Sequence, residues 1–486
     1  MTRLNGWLAA AGAALLLGAC ATAQGDPTNS VIAWAPGAST TGWSPEDGLS
    51  GMPILIKDNI ETRDMPTTAG SLALIDNAPG RDAPLVARLR EAGAMIAGKA
   101  NLSEWANIRS TGSTSGWSAV GGLTRNPHVL DRNTCGSSSG SAAAVAAGIV
   151  PAAIGTETDG SIICPAAANG IVGFKPTVGL VSRTHIVPIS ESQDTAGPMT
   201  RTVRDAALVL TAIAGGDPAD PPTAEADARR VDYAAALDAG SLTGTRIGVL
   251  RYLMGYSDPT DAVFDQALAA LRAQGAEIVE ITEGGPDRGA LGQAEFQVLL
   301  TEFKAGLNAY LATTDPTQVP YRSLTDIIAF NRGEPRELAI FDQDIFEMAE
   351  ATKGLDDPEY REALATSRRL AREEGIDKLM ADNRVTVLIA PTGGPAWPTD
   401  LINGDHFGGS ASQMAAVAGY PHLTVPMGFV GPLPVGISFI GGQWEDARIL
   451  SYGYAFEQAT RALRPPRFLA TVGEDEAYVG AVAGVE

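Results

Sequence analysis

Cysteine, histidine and positive charge are all scarce in this chain. Three cysteines (Cys20, Cys135 and Cys164) are too few for the disulfide framework of a small secreted domain. Cys135 and Cys164 could pair if two glycine-rich loops converge, but buried free thiols are the expected state. The four histidines (His128, His185, His406 and His422) fall in no HExxH or HxH arrangement, and no CxxC occurs. The usual donor sets for a zinc site are therefore missing. Lys and Arg number 35 against 56 Asp and Glu, a formal net charge of −21. Phosphate backbones are held by clustered Lys and Arg, so this balance argues against nucleic acid as a partner. No segment reaches about 18 uninterrupted apolar residues, the length a membrane-spanning helix needs.

The N-terminus carries a shorter apolar run. Arg3 precedes Leu8 to Gly18, about 11 residues, which suits the hydrophobic region of a signal peptide. The run ends Leu17-Gly18-Ala19-Cys20, which resembles a bacterial lipobox. That resemblance implies residues 1–19 as a signal peptide, lipidation of Cys20, and an exported protein anchored to a membrane only through that lipid. Cleavage after Ala21-Thr22-Ala23 would give a free periplasmic or secreted form. Residues 20–50 read as a tether that wraps onto the body, 51–470 as one domain, and 471–486 as a C-terminal tail.

The body alternates strands and helices. Met52 to Ile56 is a short apolar run that delivers Lys57, Asp58 and Asn59 at its C-terminal end, the edge of an α/β sheet where sites form. Asp82 is placed to cap a helix from Pro84, and Asn101-Leu102-Ser103-Glu104 reads as a capping box. Gly140 to Gly148 is almost entirely Ala and Val, so this helix is small on every side and belongs in the interior. A strand over 149–154 follows, and another helix begins near Ser161. Residues 215–230, GGDPADPPTAEADARR, read as an exposed excursion. Two or three long amphipathic helices are expected between 290 and 382. The expected fold class is α/β, a mixed and mostly parallel twisted sheet with helices on both faces.

Two motifs mislead. Gly93-Ala94-Met95-Ile96-Ala97-Gly98-Lys99-Ala100 imitates a phosphate-binding loop, but Ala100 stands where a Ser or Thr must hold Mg²⁺. Gly136-Ser137-Ser138-Ser139-Gly140 matches GxSxG with Ser138 as its nucleophile. That reading needs a strand before the motif, and the polar stretch 126–134 with Pro127 is a poor one. It also needs His406 or His422 as base. Lys57 is the alternative base, provided burial lowers its pKa from about 10.4 toward 7.

The serine-rich stretch TCGSSSGSAAAVAAGIVPAAIGTETDGSIICP (134–165), with GMPILIKDNI before it and SQDTAGPMTRTVRDAA after it, strongly resembles the amidase signature family. The resemblance extends from about residue 40 to 470, through AGYPHLTVPMGF and LPVGISFIG. It implies a triad of Lys57 as base, Ser137 as a relay following a cis peptide bond, and Ser161, 24 positions further on, as nucleophile. It also implies an oxyanion hole from the backbone N–H groups of Thr158, Asp159, Gly160 and Ser161, and no cofactor. Much of the family has glycine at Asp159 and arginine at Ile163. The variant GTETDGSI and EFKAGLNAYL (302–311) are similar to the peptide amidase branch, which implies a peptide amide substrate. A small aliphatic or aryl amide is the alternative, and a binding lipoprotein without activity is the alternative of another class.

Overall fold

The computed structural model describes residues 26–483; the signal segment, Cys20 and the alternative cleavage site lie outside them. Eleven strands form one sheet: β1 Val31–Trp34, β2 Pro53–Lys57, β3 Met95–Ala100, β4 Ala152–Glu157, β5 Val172–Lys175, β6 Thr195–Thr200, β7 Arg246–Leu250, β8 Glu277–Ile281, β9 Val387–Pro391, β10 His422–Val430 and β11 Leu433–Ile440. Their spatial order is β1-β3-β2-β4-β6-β5-β10-β11-β9-β7-β8. Pairing is parallel at β3–β2, β2–β4, β9–β7 and β7–β8, and antiparallel at the other junctions. The mixed α/β sheet is as expected. Its weighting is corrected, because the middle of the sheet is antiparallel rather than mostly parallel.

Both faces are covered. Side chains alternate along β2, so Ile54 and Ile56 join one core with Leu85, Leu89, Leu210 and Phe264, while Leu55 packs on the opposite side with Ala142, Val145 and Met199. By the same alternation Lys57 falls on the Leu55 side. That side is occupied by the small-residue helix Ser139–Ala146, every residue of which is buried.

Some local details depart from expectation for identifiable reasons. The segment read as a tether wraps onto the body through β1, an edge strand paired with β3, and the Asp26 carboxylate accepts the Ser30 and Val31 amides to start it. The excursion at 215–230 is mostly exposed but is pinned to the body, with Asp220, Thr223 and Ala226 buried and Arg183 paired with Asp220 at 2.6 Å. Ala83, not Asp82, occupies the helix N-cap, because Asp82 is engaged by Arg63 and Arg90. Ser103 makes no side-chain cap bond, and Glu104 is turned to Arg109 instead. The region 290–382 holds one long helix, Arg288–Ala312, and four shorter ones ending at Asn383.

The close approach of the small helix to its neighbours requires glycine at one position. A Cβ at Gly140 would lie 2.3 Å from the Ser30 carbonyl and 2.5 Å from that of Asn101. Both are backbone atoms, which cannot rotate away. We expect Gly140→Ala to cost about 1–3 kcal/mol, read as a lowered midpoint in denaturant unfolding. An unchanged midpoint would show that this helix is less tightly seated than described.

Candidate active site

β2 and β4 are parallel neighbours, so Lys57 and the Thr156-Glu157 pair emerge at the same edge of the sheet. The Lys57 side chain is fully buried. Its Nζ lies 2.7 Å from Ser137 Oγ, 2.8 Å from Thr156 Oγ1 and 3.2 Å from the Thr156 carbonyl oxygen. Asn59 donates to the same Thr156 hydroxyl at 3.0 Å. Burial drives the Lys57 pKa down to about 7, against the opposing pull of Asp194 and Glu157. A neutral amine has two N–H bonds and one lone pair. With the two Thr156 oxygens taking the N–H groups, the lone pair is left for the Ser137 hydroxyl.

Asp58, the adjacent carboxylate, would ordinarily neutralise such a lysine. It is occupied elsewhere: Lys99 on β3 lies 3.3 Å from it and also donates to the Ile60 carbonyl and the Thr67 hydroxyl. The Asp58 carboxylate is thus paired with the lysine of the false phosphate-binding loop, and Lys57 makes no ion pair with it.

Ser137 and Ser161 sit on two loops that meet. The peptide bond between Gly136 and Ser137 is cis, and a Cβ at Gly136 would come within 2.2 Å of Ser103 Oγ. The Ser138 amide donates to the Ser161 carbonyl at 3.1 Å. A disulfide joins Cys135 to Cys164 across the same junction. Free thiols were the expectation; convergence of the loops overturns it. Ser161 lines a cavity of about 460 Å³ together with Gly136, Thr158, Asp159 and Gly160.

The turn carrying Ser161 is held from below. Glu157 accepts the Ile162 and Ile163 amides at 2.7 and 3.0 Å, satisfying the start of the helix Ile163–Ala168. Burial raises the Glu157 pKa, and Lys175 is the cation that opposes the rise. Lys175 itself is fully buried and lowered to about 8 by that burial. It supplies positive charge behind the loop, where Ile163 stands in place of the arginine that much of the family carries. Asp194 accepts the Thr158 hydroxyl at 2.5 Å and the Ile189 and Ser190 amides. Among the described residues, the N–H groups of Thr158, Asp159 and Ser161 donate no hydrogen bond.

Ser138 has a different place. It is buried, donates to the Thr156 carbonyl at 3.1 Å and accepts the Thr156 amide, so it clips the loop to β4. Neither histidine serves it. His406 is exposed beside Asp400, and His422 is buried against Ser438 with its pKa lowered to about 3 by burial. The GxSxG reading has no base.

Sequence reasoning missed Thr156, Glu157 and Lys175. Glu157 and Thr156 lie within GTETDGSI, but their roles depend on which way a strand end faces. Lys175 terminates β5, an apolar run ending in a lysine just as Met52 to Lys57 does, and that shared pattern could have found it.

Comparison with known proteins identifies the family. The amidase family model matches residues 28–450. The chain is 41% identical over 436 residues to a probable amidase of Arabidopsis thaliana, covering 87% of this chain and 79% of that one. Among solved structures, the native peptide amidase of Stenotrophomonas maltophilia matches with a TM-score of 0.85 and 51% identity over 91% of each chain. An amidase family protein from Bacillus anthracis matches with a TM-score of 0.78 and 36% identity, over 91% of this chain and 85% of that one. The chain belongs to the amidase (amidase signature) family and is an amidase that hydrolyses amide C–N bonds.

Proposed function

We propose that this enzyme is exported and hydrolyses the C-terminal carboxamide of peptides to acid and ammonia, using Lys57, Ser137 and Ser161. The observation that carries the reading is the buried Lys57 amine 2.7 Å from the Ser137 hydroxyl, on a loop joined to the one bearing Ser161. Neutral Lys57 takes the Ser137 proton as Ser137 takes that of Ser161. Ser161 Oγ bonds to the amide carbon, and the amides of Thr158, Asp159 and Ser161 receive the developing oxyanion, the Gly160 amide being turned to Glu157. The relay then reverses, protonating the nitrogen as its bond to carbon breaks and ammonia leaves. Water, deprotonated by the same relay, attacks the acyl-enzyme and releases the acid and Ser161.

Similarity to a peptide amidase at 51% identity supports a peptide substrate. So does space. A second cavity of about 420 Å³, lined by Ile186, Val187, Pro188 and Tyr310, shares Ala106, Thr158 and Ile189 with the first, which is more room than a small aliphatic amide fills. Export is supported by the signal-like N-terminus and by a disulfide, which persists in oxidising compartments.

An organophosphonate serine probe should label Ser161, mapped by mass spectrometry, and fail to label Ser161→Ala. Lys57→Ala should lower kcat/KM for a peptide amide about 10²–10⁴-fold near neutral pH. Labelling that survives Ser161→Ala, or turnover that survives Lys57→Ala, would refute the assignment. For localisation, the mature protein should fractionate with membranes and begin at acylated Cys20; recovery in the cytoplasm with residues 1–19 intact would refute export.

A further inference from the structure

Asp159 is unusual for its place. It stands two residues before Ser161 and lines the same cavity, where the family resemblance implies a residue with no side chain. Its Oδ1 is buried without a hydrogen-bond partner. Burial, and then the neighbouring Glu295, push its carboxyl well above the usual range. A carboxyl oxygen is kept out of water and unpaired only at a cost of about 1–3 kcal/mol.

Glu295 is held firmly beside it. It lies on the helix Arg288–Ala312 and is buried. Gln193 donates to its Oε1 at 2.9 Å and Gln413 to its Oε2 at 3.0 Å. Gln193 also reaches the Thr158 carbonyl at 3.3 Å, which ties Glu295 to the loop bearing Asp159. Ser412 packs against the loop from the other side, 3.2 Å from where a Cβ on Gly160 would be, and is a hydrogen-bonding neighbour of the Asp159 carboxyl. Three separate segments thus pack around the loop that carries Asp159.

The geometry points to Asp159 as a specificity-determining residue that accepts a hydrogen bond from the –NH₂ of an unsubstituted carboxamide, with Glu295 as its positioning residue. This rests on Ser161 being the nucleophile. With the substrate carbonyl carbon at Ser161 Oγ and its oxygen at the loop amides, the third substituent is the leaving group. An amide nitrogen there has two N–H bonds to give. An ester oxygen has none, and would set one acceptor against another at the Asp159 carboxyl. A site built around such a donor discriminates strongly against the analogue lacking it. Whichever of Asp159 and Glu295 holds a proton, Oδ1 retains a lone pair to accept with.

The test compares kcat/KM for one peptide as its C-terminal amide and as its methyl ester, in the wild type, Asp159→Gly and Asp159→Asn. The amide-to-ester ratio should fall about 10- to 100-fold in Asp159→Gly, and less in Asp159→Asn, which retains an acceptor and the shape of the side chain. Glu295→Gln should lower the same ratio by a smaller factor. A ratio unchanged within about threefold, with organophosphonate labelling of Ser161 intact, would overturn this inference alone. Absence of labelling at Ser161 in the wild type would overturn both it and the assignment of the nucleophile.

Discussion

A lysine amine buried without a carboxylate partner is the constraint on which the site depends. Lowering Lys57 from 10.5 to about 7 corresponds to about 5 kcal/mol of differential stabilisation between its two protonation states. The fold achieves this by subtraction. Asp58 follows directly in sequence, yet its carboxyl is claimed by Lys99 from the next strand. What remains around Nζ is a carbonyl and two hydroxyls, which hydrogen-bond the amine but bring no counter-charge to an ammonium in a dry interior.

The rest of the architecture serves to bring two serine loops to that amine. β2 and β4 run in parallel and end at the same edge. The helix that precedes β4 in the chain, Ser139–Ala146, is made of residues small enough to lie flat against the sheet. Ser138 clips its start to β4, and the Cys135–Cys164 disulfide closes the gap between the loops. Underneath, Glu157 gathers the first amides of the following helix while Lys175 offsets its charge. A buried acid and a buried base thus stand behind the turn, and the amides on its cavity side stay available.

How much of this could be read beforehand differs by scale. The apolar run ending at Lys57 and the density of small residues near Ser137 announced the site, because strand periodicity and helix size are local properties. The mixed α/β class followed from alternation alone. The pairing directions did not, since β4, β5, β6 and β10 come together through long connections that leave no periodic trace. β5 and β6 were not anticipated at all: they carry Gly173 and the Gly197-Pro198 pair, residues that disguise strands. The disulfide depended on two loops converging from positions 29 apart in sequence. Asp159 was visible as a departure from the family pattern, but its unpaired oxygen and its link to Glu295 arise only when a helix beginning at residue 288 folds back over the loop.

The claim that Lys57 acts as a neutral base is tested most directly by the pH dependence of kcat/KM for a peptide amide. Protonated below its pKa and neutral above it, Lys57 should give a rate that rises with pH through about 7 and then levels off, since kcat/KM reports the free enzyme's groups. Lys57→Ala should abolish the rising limb along with most of the rate. A profile flat between about pH 5 and 9, or a limb that persists in Lys57→Ala, would contradict the account.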